Sequence, residues 1–536
     1  MEWNHELAKA RYYLGDEDHE SIAKRVGTYV ANGDATYVDP FIEMILKMWF
    51  MPAGRILRNA GRPKGGLLNC YFLDIQDDLF DIMYFVANTA ILNAEGGGVG
   101  TNVSYLRPEG DPVRGRGGIA SGPVSWLEIT NFAAGKICTG GQRRAALKAD
   151  MIVSHPDIHK FIDAKLVDGK LQNFNISVGI TSRFMDAVRN DENWSLSFRE
   201  KDYDKVSANQ LWDKIVTNML AYGEPGIQYL DNLYSNNSWY VFPIRGTNPC
   251  GEVPLEHCGV CCLGSLVLPA FVHNGSFDWN LFEQTTRLGV RFLDNTLDVN
   301  NYVFQFNKDQ AHALRRIGIG TMGLAAALFA LGIRYGSTEC VEFLDKLYAR
   351  LRDTAYKESI ELSKEKGAFP KFDPRYLKSR FVKTLPRSIQ RKIREHGIRN
   401  CTILTQPPTG TTAQLVGVTE GCEPLPHKAY ERCDGDKESE VIIHPLTEKG
   451  CDADWFVDST DLTIDEHFEV QATIQKYVDG AVSKTINVPK ETTTEQIKEA
   501  LLKYLDEIKG VTIYRQGSRK NEPIKPITCK SGVCDL

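Results

Sequence analysis

The 536-residue sequence has no apolar run of the length, about 18 residues, that a helix needs to cross a bilayer. Its opening stretch, MEWNHELAKARYYLGDEDHE, is charged and has no apolar core of a secretory leader. The protein is therefore expected in the cytoplasm, with no membrane partner. Basic residues are not in excess: 63 Lys and Arg stand against 69 Asp and Glu, a formal net charge of -6. A partner with a phosphate backbone favours a basic face, so no nucleic acid is expected either. Internal repeats and long low-complexity segments are absent. The 13 cysteines are an odd number in a long chain read as intracellular. That disfavours a disulfide scaffold and favours free, catalytic or metal-bound thiols. A second close cysteine pair is also lacking. HCGVCC holds one C-x-x-C, Cys258 and Cys261, beside His257, whereas structural zinc takes four ligands, usually from two such pairs. The remaining candidates, Cys529 and Cys534, are spaced C-x4-C at the far end of the chain, so no metal is expected. No Gly-Lys-Ser/Thr follows a glycine-rich loop, which excludes a Walker A motif.

What is present is the composition of a globular protein, 42% hydrophobic and 25% charged. Residues 1–50 read as helical, ending in the amphipathic DPFIEMILKMWF. From about Met51 to Tyr240, short apolar runs such as LLNCYFLDI, GGGVGTNVSYL and FNISVGIT alternate with turns, as strands among helices do. Leu344, Leu347, Leu351 and Ala355 recur at helical spacing in a stretch that stops near Gly367, a C-cap glycine. TTTEQIKEALLKYLDEIKG reads as a capped helix and the following VTIY as a strand. Beyond Arg515 the chain turns polar, and a mobile tail is expected. Alternation over this length favours an α/β architecture. Periodicity alone leaves an open and a closed sheet equally possible.

The chemistry concentrates in RGTNPCGEVPLEHCGVCCLGS, residues 245–265. Cys250 has Asn248 two residues before it and Glu252 two after. In a short extended loop, side chains two apart share a face. An amide, a thiol and a carboxylate together can bind a polyol, remove a hydroxyl proton and act through sulfur. Cys258 and Cys262 read as small buried hydrophobes. Downstream, QPPTGTTAQLVGVTEGCEP (406–424) reads as a loop opening a helix, either a plain N-cap or a cradle of N–H groups and hydroxyls for phosphate oxygens. AEGGGVG (94–100) reads as a tight turn.

Taken together and in order, MPAGRILRNAG, GLLNCYFLDI, YLRPEGDPVRGRGGIASGPVSW, HPDIHKFIDAK, LQNFNISVGIT, NPCGE, CCLGS, PPTGTT and VDGAVSKTINVP…KGVTIYRQGSR closely resemble the catalytic subunits of ribonucleotide reductases. QKYVDGAVSKTINVP and GVTIYRQGSR look most like the adenosylcobalamin-dependent class II. The resemblance covers about residues 50–516. It implies an α/β fold: a ten-stranded α/β barrel of two antiparallel five-stranded halves around a central finger loop. The chain then divides into an N-terminal helical region (1–50), the barrel (51–515) and a flexible redox tail (516–536).

The family implies the roles. Cys250 becomes the thiyl radical that takes the 3′ hydrogen of a ribonucleoside di- or triphosphate. Glu252 takes the 3′-hydroxyl proton and Asn248 binds the ribose. Cys70 and Cys261 supply two electrons and form a disulfide, Cys261 being preferred to Cys262 because the family's CxLGS places the redox sulfur first. Cys529 and Cys534 would reduce that disulfide by exchange and be reduced in turn by a thioredoxin- or glutaredoxin-type protein. Burial within a closed sheet would shield the radical from water. Substrate would lie on Asn69, Gly98, Pro408, Thr409, Gly410, Thr411 and Thr412. Gly54 stands where the family often has threonine, removing one phosphate hydroxyl. Asp77, Arg107 and Arg114 match positions contacting a deoxynucleotide effector at a homodimer interface, and residues 165–173 match the loop that relays effector identity.

Residues 1–50 are too short for an ATP-cone, so no overall dATP off-switch is expected, and the small size suits a trimmed form from a bacterium or a virus-infected cell. The family's radical relay uses two adjacent tyrosines, and here Tyr514 follows Ile513. That favours adenosylcobalamin, with Tyr514 near the cofactor. The alternative is a radical received from a separate metal-containing subunit. A third reading is a non-catalytic nucleotide-binding regulator, against which the intact Asn248, Cys250, Glu252, Cys70 and Cys261 argue.

Overall fold

The computed structural model describes residues 1–113, 117–137, 145–167, 169–432, 440–518 and 524–527. Three helices come first, His5–Arg11, His19–Val30 and Ala35–Leu46. Each starts where a short polar side chain, Asn4, Asp18 or Asp34, accepts an N–H of the first turn. Ile22, Val26 and Val30 on the second helix and Phe41, Met44 and Ile45 on the third are fully buried.

Five parallel strands follow: Cys70–Phe72, Gly98–Asn102, Leu147–Ile152, Phe174–Ile180 and Gly226–Tyr229. A second parallel set comprises Leu263–Val267, Gly318–Met322, the bridged segment 404–406, Thr485–Val488 and Gly510–Arg515. Ile319 bridges Leu404, and Gln406 bridges Val482 just ahead of Thr485. The halves meet antiparallel at two seams. Gly510 and Val511 pair with Gln228 and Ile227. Val260 and Cys261 pair with Tyr71 and Cys70. The result is a closed ring of ten staves in two antiparallel halves, the architecture implied by the resemblance.

The register explains the residue pattern. Phe72, Gly100, Lys148 and Asn175 lie side by side across four strands, as do Asn102, Asp150, Ser177 and Gly226. Neighbours in register share a face, so these residues, small or polar apart from Phe72, point one way. The alternate residues, among them Val99, Leu147, Ala149, Ile176, Val178 and Ile227, are at most 1% exposed. The apolar face packs outward under helices, and the polar face lines the interior.

A hairpin fills that interior. Gly246–Thr247 pairs antiparallel with Pro254–Leu255, and the tip between them carries Cys250. The inward residues hold it: Asn102 Nδ2 donates to Arg245 O (2.7 Å), Lys148 Nζ and Gln228 Nε2 to Thr247 Oγ1 (2.6 and 3.0 Å), and Asn175 Nδ2 to Pro249 O (3.3 Å). The opposite half holds the other arm, with Ala481 N–H and Thr405 Oγ1–H both 2.7 Å from Glu252 O. The fit leaves no room for a Cβ at Gly100, which would lie 1.9 Å from Thr247 O.

Gly100→Ala therefore forces the strand or the hairpin to move. It should lower the unfolding free energy by about 1–3 kcal/mol, as overpacking against rigid backbone does. Chemical denaturation checks this, and an unchanged midpoint would contradict the close approach.

Candidate active site

The tip of the hairpin is a turn. Gly251 N–H donates to Asn248 O (3.0 Å), and Gly251 has φ +85°. Proline at 249 presets the bend, and glycine supplies the positive φ. The extended loop inferred from Asn-x-Cys-x-Glu spacing is thus corrected. The turn separates the three side chains: Asn248 and Glu252 are buried at 0% and 1% exposure, while Cys250 is exposed. The expectation of a fully shielded sulfur is corrected with it. The thiol faces a cavity of ≈ 240 Å³ rather than closed protein.

That cavity brings together most of the residues singled out from sequence. Asn69, Cys70, Gly98, Cys250, Glu252, Pro408, Thr409, Gly410, Thr411 and Thr412 all line it. Asn248 and Cys261 lie behind the wall. Asn248 Oδ1 accepts the Val253 N–H (3.0 Å), which ties its side chain back across the hairpin. Cys261 is opposite Cys70 in register on the closing seam, and its burial together with the neighbouring Cys70 sulfur pushes its thiol well above the ordinary range. Cys262 points away, its Sγ 3.5 Å from Leu293 O. The geometry thus pairs Cys70 with Cys261 rather than Cys262.

Glu252 is an unusual carboxyl. Burial pushes it up to about 7, and the Asn248 amide and Lys148 ammonium only partly offset this. Its Oε2 and Asn248 Nδ2 are both buried without a standard hydrogen bond among the described residues. A carboxyl poised near neutrality beside a thiol suits general acid–base work.

The 406–424 segment opens the short helix Gly410–Leu415 from Thr409, whose φ is +58°. Two hydroxyls expected on phosphate are engaged within the loop. Thr409 Oγ1 accepts the Gly421 N–H (2.8 Å), and Thr412 Oγ1 donates to Thr409 O (2.9 Å).

Sequence reasoning missed the three arginines and the tyrosine of the lining, Arg11, Arg55, Arg58 and Tyr12. The N-terminal segment reaches the site because Asn4 N–H donates to Leu415 O (2.8 Å); no local motif marks it. Arg55 and Arg58 sit three apart on the helix Gly54–Asn59. Arg55 Nε donates to Gly96 O (3.1 Å), and a Cβ at Gly96 would strike its guanidinium at 0.9 Å. The glycine at 96 thus makes way for an arginine. At Gly54 a Cβ would lie 3.2 Å from the Tyr12 hydroxyl, so a phenol stands beside the position that lacks the threonine hydroxyl. Three guanidiniums and one carboxyl on one lining suit a phosphate-bearing ligand.

Other expected positions lie elsewhere. Asp77 is ion-paired with Arg107 (2.9 Å) and Arg199 (2.9 Å), so Arg107 is not a solvated arginine. Arg114, Cys529 and Cys534 lie outside the described residues, as does Asp168 of the 165–173 loop. In that loop Lys165 is ion-paired with Glu224, and Asn173 N–H donates to Asn131 Oδ1 (3.0 Å). Tyr514 stands in register with Asn487 and does not line the cavity. Among the described residues no His, Cys, Asp and Glu cluster is placed to hold a metal, and none of nine described cysteines is in a disulfide.

Residues 68–514 match the ribonucleotide reductase barrel domain, and residues 5–65 its all-alpha domain. The chain belongs to the ribonucleotide reductase family. It is 34% identical over 545 residues to a vitamin B12-dependent ribonucleoside-diphosphate reductase of Mycobacterium tuberculosis, spanning 95% of this chain and 76% of the relative. It is 32% identical over 517 residues to the protein of that name from Thermoplasma acidophilum, spanning 90% and 66%. The large subunit of the vaccinia virus ribonucleoside-diphosphate reductase is 27% identical, over 81% of this chain and 63% of its own. No helix among the described residues is long and apolar enough to cross a membrane.

The raised Glu252 carboxyl makes a signed prediction for this reductase-family barrel. In the unfolded chain the group ionises near 4.5, in the fold near 7. Between those values the folded state binds the extra proton, so stability falls as pH rises. Glu252→Gln removes that loss, worth about 3 kcal/mol by the shift. Its melting temperature relative to the parent should rise between pH 5 and pH 8; a pH-independent difference would contradict the assignment.

Proposed function

We propose that the chain reduces ribonucleotides to deoxyribonucleotides by radical chemistry at Cys250. The observation that carries this is the convergence on one cavity of Cys250 and Glu252 with Cys70, whose partner in register is Cys261. Cys250 Sγ, once oxidised, removes the hydrogen from C3′. Glu252 accepts the 3′-hydroxyl proton, and the Asn248 amide orients the ribose. The 2′ C–O bond breaks and the oxygen leaves as water. Cys70 and Cys261 together give up two electrons and two protons, a new C2′–H bond forms, and the two sulfurs join as a disulfide. C3′ regains its hydrogen from Cys250, whose sulfur radical is thereby restored. The high proton affinity of the Cys261 thiol suits a donor that must stay protonated until used.

Phosphates of the nucleotide are held by the cavity edge formed by Pro408 to Thr412 and by Arg11, Arg55 and Arg58. Cys529 and Cys534 regenerate the internal thiols by exchange with a thioredoxin- or glutaredoxin-type reductant.

The chain's own residues favour adenosylcobalamin as radical source. Cys250 is open to the cavity, so a bulky cofactor has an approach, and the residue before Tyr514 is the fully buried Ile513 where a relay wants a second tyrosine. Adenosylcobalamin, when bound, supplies a cobalt–carbon bond whose homolysis yields a radical. The names of the M. tuberculosis and T. acidophilum relatives support the same choice.

A homodimer fits the surface. Phe80 and Phe132 are 81% and 69% exposed on the helices Leu79–Ala94 and Pro123–Lys136, with Met83, Tyr84, Ile91 and Ile129 also exposed. An apolar face of that size marks an interaction site. Asp77 and Arg107 lie at the start of it, as an interface-bound deoxynucleotide effector requires.

The test is turnover of a ribonucleoside di- or triphosphate with dithiothreitol and adenosylcobalamin. Product with cobalamin alone is expected. Product only with a partner protein would contradict the cobalamin assignment, and none under either condition would favour a nucleotide-binding regulator. Cys250→Ser should abolish product while nucleotide affinity changes less than about threefold, a difference small on the scale of tenfold per 1.4 kcal/mol.

A further inference from the structure

A second cleft of ≈ 320 Å³ lies at the barrel end where the strand Gly226–Tyr229 finishes, and it shares no residue with the catalytic cavity. Its walls are Ser235, Asn236 and Trp239 on one side and Lys378, Ser379, Arg380 and Lys383 on the other. Three features mark it as built. First, it holds three exposed cations, and no carboxylate pairs with them among the described residues. The nearby Asp373 is taken by Arg375 (2.8 Å). Arg380 is steered by a neutral amide, its Nη1 donating to Asn232 Oδ1 (2.7 Å). Second, Asn236 and Ser379 are each 2% exposed, yet Asn236 Nδ2 and Ser379 Oγ have no hydrogen-bond partner among the described residues. Asn236 Oδ1 accepts the Ser238 N–H (3.2 Å), which fixes the amide with its donor end unspent. Buried donors of this kind are normally satisfied, so two on one cleft call for a ligand. Third, Trp239 is 47% exposed where an indole of that size would normally be covered. Burial pushes the Lys509 ammonium down to about 8; the Asp479 carboxylate opposes this, and the Arg380 and Arg316 guanidiniums add to it.

A cation trio asks for several negative oxygens, two unspent polar groups ask for acceptors or donors at short range, and an open indole asks for a flat ring. We propose that this cleft is a further nucleotide site, separate from the substrate cavity and from the effector face at Asp77 and Arg107, with the phosphates on Lys378, Arg380 and Lys383 and the base against Trp239. Its volume is at the low end of small-molecule sites, so the ligand is a single nucleotide seated partly in solvent.

The test measures binding of labelled ATP to the full chain by equilibrium dialysis, with inorganic tripolyphosphate as a base-free probe. Lys378, Lys383 and Trp239 are exposed, so Trp239→Ala and the pair Lys378→Glu with Lys383→Glu leave the fold intact, which melting curves verify. In the charge-reversed pair, one class of ATP sites per chain should weaken by at least about tenfold, and tripolyphosphate with it. In Trp239→Ala, ATP should weaken about tenfold while tripolyphosphate is unchanged. ATP isotherms that coincide for all three proteins would overturn the site. Loss in the charge variant with none in Trp239→Ala would overturn its nucleotide character.

Discussion

The structure depends on one packing decision: the centre of the barrel is filled by a hairpin of backbone, where most barrels of this size hold layers of side chains. Backbone carries an obligatory donor and acceptor at nearly every residue, so it can be buried only if its surroundings answer each one. Asn102 and Asn175 do this from one half, at the Arg245 and Pro249 carbonyls, where Lys148 and Gln228 also hold the Thr247 hydroxyl; Thr405 and the Ala481 N–H answer the Glu252 carbonyl from the other. Glycines 98 and 100 complete the fit, since a Cβ at either would meet Pro249 Cγ at 2.9 Å or Thr247 O at 1.9 Å. Partial satisfaction of such a network would be worse than an apolar core.

The site's chemistry follows from the same decision. A hairpin gripped from both halves brings its tip to a fixed place between them, and the turn at Pro249–Gly251 presents the thiol while keeping the carboxyl buried. Burial alone accounts for the raised Glu252 carboxyl. The chain leaving the hairpin becomes the closing strand of the ring, so Cys261 arrives opposite Cys70 through the seam that shuts the barrel. Cys250 and Cys261 thus come from one continuous stretch, 245–265, and Cys70 meets that stretch across the seam.

Much of this was legible in the sequence. The long helix Thr338–Lys366 ends at Gly367, and the helix Thr494–Tyr504 leads into the strand Gly510–Arg515, because caps and periodicity are local properties. The cavity residues around Cys250 and Thr409 followed from resemblance. Three things were hidden for physical reasons. Leu147–Ile152 alternates Lys148 and Asp150 with apolar residues, a pattern that ordinarily means one face in water, and here both faces are buried. The turn at the tip depends on Gly251 adopting a positive φ, which no spacing rule reveals. Arg11 and Tyr12 reach the cavity only because a distant segment docks on 415–416.

The central claim is that Cys70 and Cys261 act as one redox pair under the control of Cys250. The direct measurement is a single turnover of pre-reduced protein with nucleotide and adenosylcobalamin and no external reductant, followed by rapid alkylation and mass-spectrometric mapping of all thirteen cysteines. The account predicts a Cys70–Cys261 disulfide formed in step with deoxynucleotide and absent from Cys250→Ser. Product formed while Cys70 and Cys261 remain alkylatable, or formed by the serine variant, would contradict it.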